Sequence, residues 1–135
     1  RLHKGVLFIT LPCGRSLAYA RPRIEIDERF NKEQITYEGA EQGSNRWGRI
    51  GTYGGRLVEN IVQGAARDCL AEAMLRLDQA GYRIAFHVHD EVILDTPQGE
   101  GSVAEVCRIM SQPIDWAPGL PLAADGYACT WYQKS

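Results

Sequence analysis

The residues best suited to chemistry lie in one short run, His87-Val88-His89-Asp90-Glu91. Adjacent carboxylates at positions 90 and 91 repel each other unless a cation lies nearby. Hard divalent cations such as Mg²⁺ bind through one or two carboxylates, and substrate phosphates and water fill the other positions. Acidic residues also have poor strand propensity, yet β-branched residues flank this pair. Such a local conflict is typical of functional sites, so the pair is a candidate metal site; a solvated turn is the alternative.

A zinc site is a second interpretation of the same run. His87 and His89 could bind zinc from one strand, with Asp90 as a third ligand. The chain has three histidines, so a site made of histidine alone would also need His3. A zinc hydrolase built on His87 and His89 is kept as an alternative.

Three polar residues upstream form a second candidate group. Asn60, Gln63 and Arg67 are spaced to share one stripe of a helix. Amide groups can donate to acceptor atoms on base edges, and arginine can bind phosphates, bases or a carboxylate. This stripe could bind nucleic acid, or it could be an ordinary solvated face. Arginines that lie among aromatic residues in the β-rich segment allow the same two interpretations. Arg46 and Arg49 flank Trp47, and the others are Arg15, Arg21 and Arg23.

The elements that must position these residues begin with a β-rich segment, 1–53. Its β-branched and alternating runs predict strands at Val6–Thr10, 15–20, 34–38 and 46–53. Pro22 is expected to end the second strand, and the charged residues 25–32 are expected to form a surface excursion. Gly43-Ser44-Asn45 is typical of a turn before the last of these strands.

A long helix is predicted to follow, in segment 54–81. Apolar residues recur every four positions, and Gly81 is a normal stop signal. The recurring residues are Leu57, Ile61, Ala65, Cys69 and Ala73. Val58 and Val62 are apolar as well, so we expect the helix to be packed on more than one side.

The rest of the chain predicts a hairpin and a shorter helix. Strands at 83–88 and 91–95 meet at His89-Asp90, within segment 82–96. Segment 97–135 contains an amphipathic helix around 103–110 and a final strand at 122–130. The predicted fold class is α+β, an antiparallel sheet packed against a long helix and a shorter one, with an N-terminal β layer.

Length and composition set the broad class. The 135 residues predict a single domain, and 44% hydrophobic with 24% charged residues exclude disordered and collagen-like classes. A net charge of −2 argues weakly against a free-standing basic nucleic-acid clamp. Cysteine spacing argues against a structural zinc site. Cys69 and Cys107 lie in helix-like apolar patterns, so we expect reduced thiols, with two disulfides as the alternative. No apolar run approaches the roughly 18 residues of a membrane span. We expect a soluble cytoplasmic protein; the missing initiator Met suggests a piece of a longer chain.

Two longer strings carry a specific resemblance. TYGGRLVENIVQGAARD, residues 52–68, followed by FHVHDEV, residues 86–92, strongly resembles the A-family DNA polymerases, the bacterial DNA polymerase I class. LPCGR at 11–15, Tyr37-Glu38-Gly39 and Trp47-Gly48-Arg49 resemble the phage-type branch of that family. The resemblance spans nearly the whole chain.

The resemblance implies roles for individual residues. The acidic hairpin corresponds to motif C of the polymerase palm, in which Asp90 holds catalytic Mg²⁺ and Glu91 supports the site. His89 would lie near the primer end, and Gln63 would contact nucleic acid in the minor groove. Asn60 and Arg67 are looser matches in the nucleic-acid-binding group.

The implied activity is template-directed nucleotidyl transfer by two metal ions on primer-template DNA and dNTP. That chemistry needs a second aspartate from motif A and a motif B helix, which this sequence lacks and which would precede Arg1. The resemblance therefore implies a C-terminal palm fragment, inactive alone and able to self-associate through its exposed apolar surface. A non-catalytic nucleic-acid-binding or interaction domain on a palm-like fold is the alternative.

Overall fold

The computed structural model describes residues 1–41 and 43–132. The chain divides into two compact units, Arg1–Ala65 and Ala66–Ser135. Within the described residues the order of elements is five strands, a long helix, two strands and a short helix. The α+β class is therefore confirmed. The expectation of a single domain stays a prediction, and each unit is considered by itself below.

The first unit is built on an antiparallel sheet of five strands in chain order. Such an order needs only short connections between neighbouring strands. The strands are β1 Leu2–His3, β2 Val6–Thr10, β3 Ser16–Asp27, β4 Lys32–Ala40 and β5 Trp47–Thr52. Strand β2 has the predicted bounds, and β4 and β5 lie where the alternating pattern places them. The two-residue strand β1 is too short to leave a periodic pattern.

Strand β3 corrects two predictions. It does not end at Pro22 but continues to Asp27, with a register irregularity between Ala20 and Arg23. Arg21 takes φ +45° there, so the extra residues form a bulge that accommodates the missing N–H of proline. The predicted surface excursion at 25–32 is consequently wrong. Those residues form the ends of β3 and β4 and the turn between them.

One face of this sheet carries a network around Arg49. Its guanidinium donates to Thr36 Oγ1 at 3.0 Å and to Glu38 Oε1 at 3.3 Å. Arg21 reaches the same Glu38 carboxylate at 3.1 Å. Two of the arginines considered for nucleic-acid binding therefore make ion pairs within the sheet. Trp47, by contrast, is 69% exposed.

The long helix α1 spans Gly54–Gln79, close to both predicted ends. Gly81 terminates it with φ +88°. The Gly81 N–H donates to Asp78 O at 2.9 Å, and the Tyr82 N–H donates to Leu77 O at 3.0 Å. This pair of bonds is the Schellman arrangement, which requires a residue in the left-handed region. The stop signal assigned to Gly81 is confirmed.

The start of α1 packs on the connection between β2 and β3 through a close approach of Gly64 to Leu11. A Cβ on Gly64 would lie 2.9 Å from Leu11 Cδ1, and Leu11 is itself 2% exposed. The helix therefore needs a residue without a side chain at this position. The expectation of packing on more than one side is wrong for the described residues, since Val58 and Val62 are 58% and 60% exposed. Apolar residue type alone does not distinguish a second buried face from an exposed one.

The second unit contains the rest of α1, strands β6 Ile84–Val88 and β7 Glu91–Leu94, and helix α2 Val103–Met110. Ser102 caps α2, because its Oγ accepts from the Glu105 N–H at 3.5 Å in an S-x-x-E sequence. Apolar residues from the two helices and the following loop form its core. These are Leu70, Ala73, Leu77, Ile109 and Ile114.

The final strand predicted at 122–130 is wrong. Residues 121–129 have no regular secondary structure. Ala and Gly have low strand propensity, and they occupy four of these positions, Ala123, Ala124, Gly126 and Ala128. The Ala124 N–H donates to Ser111 Oγ at 3.0 Å rather than to a neighbouring strand. Across the described residues, no helix has both the length and the apolar character needed to cross a membrane.

The close approach of Gly64 to Leu11 gives a test of how the start of α1 packs. Alanine at an interior helix position normally gains about 1 kcal/mol over glycine. Gly64→Ala should instead lower the free energy of unfolding by about 1–2 kcal/mol, because overpacking against Leu11 outweighs that gain. Urea denaturation measures the change. Gly54→Ala is the matched control, since a Cβ there meets no atom within 4 Å, and a gain in stability for both variants would contradict the packing.

Candidate functional site

The acidic pair lies at the end of the β6–β7 hairpin. Val88 and Glu91 are paired across the strands, so His89 and Asp90 form a two-residue turn. His89 and Asp90 are exposed, and Glu91 is half-buried as the first residue of β7. The predicted hairpin is confirmed, and its turn end carries the two acidic residues, which are adjacent in the chain.

The backbone of this turn is unusual at His89. Its φ is +50°, in the left-handed region where an L-residue with a Cβ is disfavoured by roughly 1–2 kcal/mol. Two-residue hairpin turns require positive φ at the first central position and normally use Gly, Asn or Asp there. A histidine held in this conformation is a local strain of the kind that concentrates at functional sites.

The pleat of the hairpin separates its side chains onto two faces. Pairing of His87 with Val92 puts these two on one face. Phe86, Val88 and Glu91 lie on the other. The half-buried carboxylate and the imidazole of His87 therefore point to opposite sides of the ribbon.

Arg67 of α1 contacts the His87 face. Arg67 Nη1 lies 3.0 Å from His87 Nδ1, and Arg67 Nη2 lies 2.9 Å from His87 Nε2. Both nitrogens that a zinc ion could bind at His87 are thus against a guanidinium group. Of the polar stripe considered for nucleic-acid binding, Arg67 is the member in the same unit as the hairpin.

Tyr132 near the C-terminal end contacts the opposite face, and sequence reasoning did not identify this residue. The rings of Phe86 and Tyr132 lie 5.1 Å apart at 70°, an edge-to-face contact. Partial desolvation raises the pKa of Tyr127, and the nearby Cys129 and Glu91 raise it further. The spacing of tyrosines at 127 and 132 was the available signal, but it matched no strand or helix period.

Asn60 and Gln63 belong to the first unit, where each has an internal partner. The Asn60 Nδ2 donates to Tyr19 Oη at 3.1 Å, and Asn60 is half-buried. The Gln63 Nε2 donates to Glu59 Oε1 at 3.3 Å, one turn earlier on the helix, and Gln63 is exposed. The bond of Gln63 therefore stays within its own helix, whereas Asn60 joins α1 to strand β3.

The donor set decides which metal the turn could hold. Among residues 1–41 and 43–132 no three His, Cys, Asp or Glu side chains come close enough to hold an ion by themselves. Mg²⁺ needs only one or two protein carboxylates where phosphate and water complete its coordination. Asp90 and Glu91 fit such a partial, oxygen-only site.

Three curated proteins similar to this chain carry one kind of name. A DNA polymerase of Bacillus phage SP02 is 58% identical over 130 residues, which is 96% of this chain and 20% of that protein. DNA polymerase I of Streptococcus pneumoniae TIGR4 is 35% identical over 85 residues, 56% of this chain and 10% of that protein. DNA polymerase I of Geobacillus stearothermophilus is 35% identical over 80 residues, 53% of this chain and 9% of that protein.

The chain therefore spans a fifth or less of the length of these relatives. No family model matches the sequence. No solved structure matches it significantly.

The positive φ of His89 predicts that glycine at this position gives a more stable protein than alanine, the reverse of the usual order. At His89 the glycine variant should be more stable than the alanine variant by about 1 kcal/mol, because only glycine adopts positive φ without a steric cost. Urea denaturation of His89→Gly and His89→Ala measures this difference. Arg83→Gly and Arg83→Ala, at an exposed position just before β6, are the controls, and here the alanine variant should be the more stable. An alanine preference at both positions would mean that His89 is not held at positive φ.

Proposed function

Since the chain belongs to the A family of DNA polymerases, we propose that it is the C-terminal palm portion of a DNA-directed DNA polymerase. The observation that carries the proposal is the two-residue turn with adjacent carboxylates, in a chain 58% identical to a phage DNA polymerase along 96% of its length. The longer protein would act on primer-template DNA and dNTP in the cytoplasm of a bacterium or an infected host.

Asp90 and Glu91 would hold the divalent cation, for which Mg²⁺ is the natural candidate. When bound, paired cations activate the primer 3′-hydroxyl and neutralise the charge of the triphosphate and its leaving group. The exposed Asp90 is accessible to an ion and to phosphate, while the half-buried Glu91 is held in β7. Two carboxylates on one turn supply part of a two-metal site, so the proposal requires further oxygen ligands from elsewhere in the longer protein.

The neighbouring residues would handle the nucleic acid. His89, exposed next to Asp90, would lie near the primer end. Gln63 is exposed on its helix and would contact the minor groove. Asn60 and Arg67 are weaker candidates for DNA contact, because Asn60 is bonded to Tyr19 and Arg67 to His87.

The chain by itself should bind metal weakly and should not polymerise. We expect Mn²⁺ to bind weakly to the 135-residue chain in a titration followed by electron paramagnetic resonance. Asp90→Asn should remove this binding. Asp95→Asn is the matched control, because Asp95 lies just past the other end of β7, where it pairs with Arg83 at 3.4 Å, and it should bind Mn²⁺ as the unchanged chain does.

A primer-extension assay on the same preparations completes this test. The chain alone should incorporate no nucleotide, since it carries only part of the acidic site. Template-dependent incorporation by the chain alone would contradict the assignment as a palm fragment. DNA binding without any Asp90-dependent Mn²⁺ binding would instead support a non-catalytic nucleic-acid-binding domain.

Gln63 should have a smaller effect than the acidic pair. Removal of one neutral hydrogen bond costs about 0.5–1.5 kcal/mol, so Gln63→Ala in the longer polymerase should weaken primer-template affinity by about two- to tenfold. Fluorescence anisotropy with a labelled primer-template measures the affinity. Gln79→Ala, exposed at the last residue of the same helix, should leave it unchanged, and equal losses for the two variants would remove Gln63 from the DNA-binding surface.

A further inference from the structure

Arg67 contacts His87 through two atoms rather than one. Both terminal nitrogens of the guanidinium lie within 3.0 Å of the two imidazole nitrogens. A neutral imidazole has one acceptor nitrogen, and arginine is only a donor. At most one of the two contacts is therefore a hydrogen bond in either tautomer, and together they place the guanidinium against both nitrogens of the ring.

Arg67 makes no ion pair with a carboxylate in the described part of the chain. Other arginines of the second unit do pair with carboxylates, Arg76 with Glu72 and Arg83 with Asp95. Arginine normally prefers a carboxylate, because charge-assisted bonds are about twice as strong as neutral ones. A guanidinium placed on an imidazole rather than on a carboxylate points to a role for the position of that ring.

The position of His87 matters because the acidic turn begins two residues further along the chain. The backbone enters the left-handed region at His89, and Asp90 comes next. A two-stranded ribbon is only marginally stable by itself. Contacts on its two faces, Arg67 at His87 and Tyr132 at Phe86, hold it in place.

We propose that Arg67 is a positioning residue for the acidic turn. Its guanidinium holds the His87 imidazole on one face of the β6–β7 hairpin and so fixes the strand from which Asp90 and Glu91 project. This inference rests on the proposed function for the meaning of the turn, but the Arg67–His87 contact can be tested separately from metal binding or polymerisation. It also gives Arg67 a role other than the DNA contact considered from the sequence.

The first measurement concerns the ring and the turn. In ¹⁵N NMR of the 135-residue chain, the shifts of the two ring nitrogens of His87 should depend on Arg67. Arg67→Ala should change these shifts and move the amide signals of His89 and Asp90. Arg67→Lys should restore part of the effect, because lysine donates at one point and lacks the planar fork. Arg108→Ala, an exposed arginine of α2, is the matched control and should change none of these signals.

The second measurement concerns the function of the turn. Loss of a residue that orients a metal ligand typically lowers metal affinity by 10-fold or more. Arg67→Ala should therefore weaken Mn²⁺ binding to the chain by about tenfold. His87→Ala should have the same effect, and the double variant should be no weaker than either single variant, because the two residues act through one contact.

The outcomes separate this inference from the proposed function. If Arg67→Ala leaves the His87 ring shifts and the turn amides as Arg108→Ala does, Arg67 does not position the turn. If these signals move but Mn²⁺ affinity stays unchanged, the positioning role is also overturned, since the turn would move without consequence for its ligands. If the unchanged chain and Asp90→Asn bind Mn²⁺ equally, the proposed metal function fails, while the ring and amide shifts still decide the contact itself.

Discussion

Two neighbouring carboxylates at the end of a two-stranded hairpin are the constraint on which the second unit depends. Their mutual repulsion favours separation, and a ribbon of two strands has little stability with which to oppose it. Contacts on both faces of the ribbon stabilise it. Arg67 approaches His87 on one face, and Tyr132 packs on Phe86 on the other. The acidic pair is thus presented on a short element supported from its sides.

The conformation of His89 is a second consequence of that arrangement. A glycine would form the turn at lower steric cost, but it would offer no side chain beside Asp90. The chain instead keeps an imidazole at φ +50°. In a polymerase, a ring at this position would lie next to the reacting end of the primer, which gives a functional reason to tolerate the strain.

Periodicity and turn chemistry were sufficient to predict the parts of the fold that obey local rules. The four-residue apolar repeat and Gly81 located α1 close to both of its ends, and the apolar runs around His89-Asp90 located the hairpin. Local rules failed at Pro22, where a bulge lets β3 continue, and at 122–130, where the predicted strand does not form. They also could not indicate that Val58 and Val62 are exposed, since burial depends on tertiary neighbours. Of the candidate site, Asp90 and Glu91 follow from residue type, whereas the Arg67–His87 contact joins residues 20 positions apart and required the structure.

The most direct test of the central claim is primer extension by the longer polymerase that we propose contains this chain, with Asp90→Ala. Asp90 would serve the metal rather than the DNA, so the variant should lose nucleotide incorporation and keep nearly unchanged primer-template binding in the same preparation. Full incorporation by that variant would contradict the assignment of the hairpin as the catalytic metal-binding turn.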